Sequence, residues 1–473
     1  VHRTSTPPPR PGRAVALLPP AAAAGVSYWL IGYQTGGPGA GVADVAASPV
    51  FHLALAAAFA ASIWAARLVE FDAAGGGRVS VAVVVAAGAA FRLMLLPAEP
   101  ALSDDIHRYL WDGRVQAAGI NPYRHAPADP ALDGLAEPIR GRINNPELPT
   151  IYPPVTQAVF LAAALLPGGA AALKTILILC DLATILAVAA LLRRRGKDPA
   201  QVVLYAWSPL PVVEIAWSGH ADPIGVCLLA CGCLALAAGR PALSAAAAAF
   251  SVAAKYAGLL ALPAVARRAG GRTLVAMPVL ALAYAPYAGA GWGVFGSLPA
   301  YAERWRFNDG IFSALLGIVE RARLAAGVRT ALAAAGWLDP AARWETSLAL
   351  RLTEPLSLTK MLAAAAFAVF AVRILRRGWD DPVREIAALL GAALLLAPTV
   401  HPWYLLWVAP FLPLVPRLSF LWWTYAAMAL GYPMLAARSG GEDPLRGLAL
   451  VEYGVLFVVM GVESARRRLW ETA

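Results

Sequence analysis

Val79-Ser80-Val81-Ala82-Val83-Val84-Val85-Ala86-Ala87-Gly88-Ala89-Ala90-Phe91-Arg92-Leu93-Met94-Leu95-Leu96-Pro97 is an apolar run carrying a single charge. Its length suits one crossing of a bilayer as a helix, because about 20 apolar residues span the hydrocarbon core. Soon after it comes Ser103-Asp104-Asp105-Ile106-His107-Arg108-Tyr109-Leu110-Trp111-Asp112-Gly113-Arg114, with three acids, two arginines and a histidine. A charge cluster against the end of a spanning helix is either an interfacial anchor or a reaction site. It opens the longest polar interval of the N-terminal half, roughly 98–152.

The rest of the chain repeats the first part of this pattern. The sequence of 473 residues is 59% hydrophobic and 14% charged, with mean hydropathy +0.61. Average soluble domains are about 25% charged. Apolar runs fall at roughly 14–34, 49–69, 79–97, 171–192, 200–216, 222–239, 241–254, 256–267, 273–288, 358–375, 383–400, 403–416, 418–436 and 447–464. They predict an all-α polytopic membrane protein, a bundle of about 12–14 transmembrane helices. The runs 241–254 and 256–267 are short enough to form one broken or re-entrant hairpin. The basic, proline-rich start, Val1 to Arg13, precedes an apolar run without a convincing cleavage site, so 14–34 reads as an uncleaved first span.

Net charge is +10, but the arginines sit in short turns between apolar runs, which argues for membrane topology and against nucleic acid. Alternating sides from a cytoplasmic start puts nearly every basic cluster inside. These are Arg3, Arg10 and Arg13; Arg78; Arg193-Arg194-Arg195 with Lys197; Arg240; Arg267, Arg268 and Arg272; Arg376, Arg377 and Arg384; Arg417; and Arg466-Arg467-Arg468. The pattern holds only if Tyr152–Leu166 lies along the outer surface as a juxtamembrane helix, for which Pro153-Pro154 is a suitable start. The outer face then receives the loop 98–170, the turn Ser218-Gly219-His220-Ala221-Asp222, the surroundings of Lys255, a second loop 289–357, and His401-Pro402-Trp403-Tyr404. Both termini fall in the cytoplasm.

The chemistry-bearing residues converge on that face. Asp104 and Asp105 are candidates for a carboxylate that takes a proton from an attacking hydroxyl. Ser-Asp-Asp before a helix is also ordinary capping sequence. Arg108 shares a helix face with Asp105 and is either its ion-pair partner or a bidentate phosphate ligand. Tyr109 and Trp111 suit an interfacial belt or a substrate wall, and Tyr152 either binds substrate or fixes the helix start. Glu214, His220 and Asp222 bracket two helix ends, where ionisable groups are costly and either stitch helices together or serve function. Lys255 has no acid nearby in sequence and requires a partner, for which a lipid phosphate would serve. His401 at an outer helix start either packs structurally or donates to a phosphate or sugar oxygen. Arg92, Glu303, Arg304, Arg306 and Glu354 are lesser candidates of the same kind. Asn121-Pro122-Tyr123 and Asn144-Asn145-Pro146 read as turns. Cys180, Cys227, Cys231 and Cys233 lie in apolar runs and read as packing residues. His107 and His125 have no zinc-like spacing. No cofactor is expected, and a divalent ion on Asp104 and Asp105 lacks support. No glycine-rich phosphate loop follows a strand and opens a helix, so nucleotide-driven transport finds no engine here.

The stretch Ser103–Arg114, followed by Gly119-Ile120-Asn121-Pro122-Tyr123, resembles the first outer loop of bacterial GT-C glycosyltransferases, closest to the mannosyltransferase-like group that uses polyprenyl-phosphate sugars. Thr150-Ile151-Tyr152-Pro153-Pro154, Gly219-His220-Ala221-Asp222 and His401-Pro402-Trp403-Tyr404 resemble later landmarks of that group, in the same order. The resemblance covers residues from about 79 to 416 and implies a GT-C-like bundle over 79–473, preceded by two extra spans within 1–78. It implies an inverting enzyme of the bacterial inner membrane. Such an enzyme moves a hexose, mannose as first expectation, from a polyprenyl-phosphate donor to a glycolipid or glycan acceptor on the periplasmic or extracellular side. The essential acid matches Asp105, with Asp104 the alternative. Arg108, Lys255 and His401 match groups near the donor phosphate. Two other classes compete. A lipid-linked saccharide transporter would show internal repeats, and a polysaccharide polymerase or ligase would favour arginine-rich outer loops.

Overall fold

The computed structural model describes residues 15–35, 39–74, 79–135, 138–338, 350–351, 353–439 and 446–471. Arg3, Arg10, Arg13 and Arg78 lie outside the described residues, as does part of the second outer loop. The side chains of Arg467 and Arg468 also lie outside the described part. Among the described residues every regular element is a helix, and extended pairing is confined to one isolated bridge between Phe307 and Thr399. In lipid this is the expected solution, since a helix satisfies its own backbone. The protein is an all-α polytopic membrane protein. Among the described residues, five helical stretches are long and apolar enough to cross a membrane: Pro49–Ala73, Ala170–Arg194, Tyr256–Arg304, Pro355–Arg377 and Gly447–Arg466.

The elements that position the site are α1 (Leu18–Gln34), α2 (Pro49–Ala74), α3 (Val81–Leu95), α4 (Asp105–Ala117), α5 (Pro154–Leu165), α6 (Ala170–Arg194), α7 (Asp222–Ala237) and α8 (Pro241–Ala254). Helix α1 packs on α2 and α3, α4 on α5, and α7 on both α6 and α8. The predicted run 79–97 is helix α3, and the double-proline segment is helix α5, which starts at Pro154. Helix α5 buries Thr156, Gln157, Phe160 and Ala163 while leaving Leu165 exposed.

Several predicted spans are not regular helices, and proline is the cause. The run 200–216 is a chain of short pieces: Pro199–Val202, Val203–Ala206, Pro209–Pro211 and a π-helical turn, Val212–Trp217. The run 403–416 is made of the 3-10 turns Pro402–Trp407 and Ala409–Phe411, interrupted by Pro410, Pro413 and Pro416. Each proline removes a backbone donor and blocks the preceding turn. Between 241 and 267 the chain breaks at Lys255, whose backbone is extended (φ −154°, ψ 135°), and the 3-10 turn Tyr256–Ala261 packs back against α8. That is the broken hairpin the sequence suggested.

Helix α6 sets the distance between the two polar ends of the bundle. Near its start the buried Lys174 ammonium donates to the carbonyls of Leu96 (3.2 Å) and Ala98 (2.7 Å), gripping the segment that leads to Asp104. At its far end Arg195 pairs with Asp381, while Arg267 and Arg268 both pair with the buried Glu385. A helix of 25 residues is roughly 37 Å long. The arginine-dense turns therefore meet one another at one end of α6, and the aspartate-bearing loop lies at the other. Midway, Arg92 and Asp181 form a fully buried ion pair, with Tyr205 donating to the same carboxylate and Arg92 also donating to the carbonyls of Gly88 and Ala206. Arg92, a candidate site residue from sequence, is thus a core strut tying α3 to α6.

Helices α4 and α5 touch at Gly113. A methyl group there would stand 2.8 Å from the carbonyl carbon of Phe160 and closer still to its oxygen. Gly113→Ala must push the two helices apart, at about 1–3 kcal/mol by analogy with overpacked cores. A lower melting temperature in detergent is expected, and an unchanged one would refute this contact.

Candidate active site

One cavity of about 880 Å3 takes wall residues from the ends of many elements. Asp104, Asp105, Arg108, Tyr152, Lys255 and His401 all line it. They come from positions up to about 300 residues apart, so their meeting is a property of the fold. Tyr109, His220 and Asp222 stand one layer behind the wall, each touching a wall residue.

Asp105 opens helix α4, with Asp104 as the residue before it. The Asn144 side-chain amide donates to both carboxylates, at 2.7 Å to Asp104 Oδ1 and 3.1 Å to Asp105 Oδ1. Burial raises the Asp104 carboxyl above its ordinary pKa, and the neighbouring Asp105 charge raises it further, while the Asn144 hydrogen bond opposes both. Of Ser-Asp-Asp it is Ser103 that serves the helix start, its hydroxyl accepting from the Asp105 backbone N–H at 3.2 Å, while the Asp104 side chain makes no cap bond. Tyr109 donates to Asp105 Oδ2 at 3.3 Å, and Tyr152 donates to the Tyr109 hydroxyl at 3.3 Å. The two rings meet edge to face; Tyr109 stacks on Phe160 of α5, and Tyr152 meets the same ring edge on. The tyrosines therefore fix the carboxylate's orientation from inside the protein.

Arg108 does not pair with Asp105. Its Nε donates to Asp112 Oδ1 at 2.8 Å, one turn along α4, and Gln157 donates to the other Asp112 oxygen. Positions three and four residues apart share one helix face, and Asp112 offers the better approach. The Arg108 Nη2 atom is buried without a hydrogen-bond partner among the described residues. On the same helix, burial lowers the His107 pKa, and Arg142 nearby lowers it further.

Lys255 does have an acid partner, in Asp222. Its ammonium lies 2.6 Å from both Asp222 oxygens and over the Tyr404 ring at 5.1 Å. Trp407 Nε1 donates to the same carboxylate at 2.8 Å. The extended backbone at Lys255 frees the side chain to reach the first turn of α7. Gly219, with φ +75°, turns the chain ahead of this helix, and a Cβ there would meet Ile106 Cδ1 at 2.7 Å. His220 follows, fully buried, with Nδ1 3.0 Å from Glu214 Oε2, and Tyr432 donates to Glu214 Oε1. The Glu214–His220 pair thus stitches the π-helical turn to the start of α7.

A column of flat rings runs from this pair to the cavity wall. His220 stacks on Trp403 at 3.9 Å, Trp403 on His401 at 4.4 Å, and His401 on Phe307 at 4.8 Å. Phe307 is held by its backbone bridge beside Thr399. The remaining candidates lie elsewhere: Arg304 pairs with Glu147, Glu303 with Arg351, and Arg306 with Asp309, while the Glu354 backbone starts the helix Pro355–Arg377. Sequence reading missed Asn144 as a site residue, together with Arg142, Tyr301 and Trp305, which also line the cavity. Asn-Asn-Pro signalled only a turn, and Asn145 does adopt the left-handed conformation (φ 48°) that such a turn uses.

Burial pushes the His401 pKa from 6.5 down to about 3, and the neighbouring Lys255 and Arg438 charges push the same way. The fold therefore favours neutral imidazole. Its stabilisation is complete above the unfolded pKa and is lost as pH falls from 6.5 towards about 3. His401→Gln should flatten the fall in melting temperature across that interval. An identical fall in variant and parent would refute the assignment.

Residues 21–270 match the family model described as alpha-(1->6)-mannopyranosyltransferase, N-terminal domain. Residues 332–429 match the model described as MptB C-terminal domain. No curated protein and no solved structure matches the chain. The first match covers more than half of the sequence and includes the aspartate loop, Tyr152, the Gly219–Asp222 turn and Lys255. The chain belongs to the alpha-(1->6)-mannopyranosyltransferase family, a family of GT-C-type membrane glycosyltransferases.

Proposed function

We propose that this mannosyltransferase takes its sugar from a polyprenyl-phosphate carrier on the outer face of the membrane and passes it, with inversion, to a hydroxyl of a glycan or glycolipid acceptor. The observation that carries the reading is the cavity itself, where a carboxylate pair held by one amide shares a chamber with cationic and neutral donors. Asp105 acts as general base. It takes the acceptor proton as the hydroxyl oxygen attacks the anomeric carbon. The bond from that carbon to the phosphate oxygen breaks, and its electron pair leaves with the lipid phosphate. Asp105, whose carboxylate the Tyr109 hydroxyl holds in place, is preferred over Asp104 as the base.

Arg108 is the foremost candidate for the leaving phosphate, since its Nη2 has no hydrogen-bond partner among the described residues and the residue lines the same cavity as the carboxylates. Lys255 is already half spent on Asp222, so its contribution is a positive edge and not a bare charge. Neutral His401 would serve as a hydrogen-bond donor. A phosphate leaving group needs little protonation, so one base and preorganised donors suffice. The outer-face assignment rests on the arginine turns gathering at the opposite end of α6. A transporter would not need a carboxylate so carefully oriented.

Transfer from polyprenyl-phosphate mannose should fall about 10²–10⁴-fold in Asp105→Asn, the usual contribution of a general base, with melting temperature kept. Asp104→Asn should cost less. Undiminished transfer by Asp105→Asn would remove that residue from the mechanism. For sidedness, a cysteine replacing the exposed Asp133, in a background lacking the four native cysteines, should react with an impermeant thiol reagent in intact spheroplasts. Reaction only after lysis would put the cavity on the cytoplasmic side.

A further inference from the structure

The aspartates, Arg108 and Lys255 account for only part of the cavity. Across from helix α4 the wall is supplied by the second large loop, through the short helix Leu298–Arg304 and the residue after it. This segment is drawn over the cavity by three ties. Ser297 donates to the Pro149 carbonyl at 2.8 Å, Arg304 pairs with Glu147 at 3.0 Å, and Thr399 donates to the Trp305 carbonyl at 2.9 Å. Two of these ties reach the first outer loop just beyond Asn144, the residue that holds the carboxylates.

Tyr301 and Trp305 stack on one another at 5.1 Å with an interplanar angle of 22°, and both line the cavity. Their exposure is intermediate, so the rings keep accessible surface. The Tyr301 hydroxyl is tied to that of Tyr404, which lies beneath the Lys255 ammonium. The Trp305 indole N–H makes no hydrogen bond among the described residues, and neither do the side chains of Asn145 and Arg142, which share the same chamber. An interfacial belt would turn such rings toward lipid. Here the segment is roped to two polar loops, and the rings face a chamber that also holds free amide and guanidinium donors.

A pyranose has one apolar face of axial C–H groups and a rim of hydroxyls. An aromatic face beside unspent donors matches both parts of it. The chamber also has room to spare. Small-molecule pockets run from about 300 to 1,000 Å3, and about 880 Å3 lies near the upper end, enough for more than a single sugar phosphate.

We propose that Tyr301 and Trp305 form an acceptor subsite, which takes the terminal hexopyranose of a glycan and presents its hydroxyl to the carboxylate pair. Asn145 and Arg142 hydrogen-bond the sugar's other hydroxyls. The proposal rests on reading this cavity as the transfer site, but it concerns acceptor binding alone and needs no donor to be tested.

Binding of an α-(1→6)-linked mannotriose to the full chain in nanodiscs, measured by calorimetry without donor, decides it. Trp305→Leu keeps apolar bulk but loses the ring face, and Trp305→Phe keeps the face. Affinity should fall roughly three- to tenfold in Trp305→Leu, the range of one aromatic contact, and remain near the parent value in Trp305→Phe, with both variants melting like the parent. No binding by the parent would overturn the subsite, as would equal affinity in Trp305→Leu. Should Trp305→Leu fail to fold, Tyr301→Leu takes its place under the same criterion. Turnover of polyprenyl-phosphate mannose is scored separately. Its absence alongside intact mannotriose binding would sink the donor reading and leave this subsite standing.

Discussion

The ion pair between Lys255 and Asp222 is the constraint around which this end of the bundle is arranged. The Asp222 carboxylate is buried and could not be left alone, because an unpaired buried ion costs several kcal/mol. Meeting one another requires α8 to stop, the chain to extend for one residue, and α7 to begin where it does. Trp407 and Tyr404 complete the solvation of the pair, which in turn fixes the proline-broken segment carrying His401. One electrostatic requirement thereby places residues from three separate stretches of chain on a single wall.

The opposite wall depends on a different economy. A single amide, Asn144, serves two carboxylates, and two tyrosine hydroxyls form a short relay behind one of them. Asp104 and Asp105 are adjacent in sequence yet differ in surroundings, since burial raises the pKa of Asp104 and only Asp105 receives the tyrosine hydroxyl. Adjacent carboxylates thereby come to sit in unlike environments.

Much of this was legible in the sequence, for definite reasons. Hydropathy identified the membrane bundle, because apolar runs cannot be hidden in a chain with so few charges. Charge alternation gathered Asp104, Asp105, Tyr152, Lys255 and His401 onto one side, and they do line one cavity. What stayed hidden were pairings that sequence distance conceals. Asp222 is 33 residues from Lys255, and a window scanned for nearby acids misses it. Arg108 faced two acids on one helix side, and periodicity alone cannot rank Asp105 against Asp112. Asn144 looked like turn chemistry because its neighbour Asn145 performs that task. Tyr301 and Trp305 sat in a long loop with no period to betray which way they faced. Hydropathy averaging also smoothed over the prolines that break 200–216 and 403–416.

The ring column from His220 through Trp403 and His401 to Phe307 bears on how the chamber can move. Plates stacked in this way turn over only if their neighbours part, and here the outermost plates sit on held backbone, His220 donating its N–H to the Glu214 carbonyl and Phe307 lying in the bridge at Thr399. That side of the chamber behaves as a stiff jamb. The facing segment, Leu298–Arg304, has no such stack through it: two half-buried hydrogen bonds and one exposed ion pair moor it, so any give in the chamber falls to that side and not to the jamb.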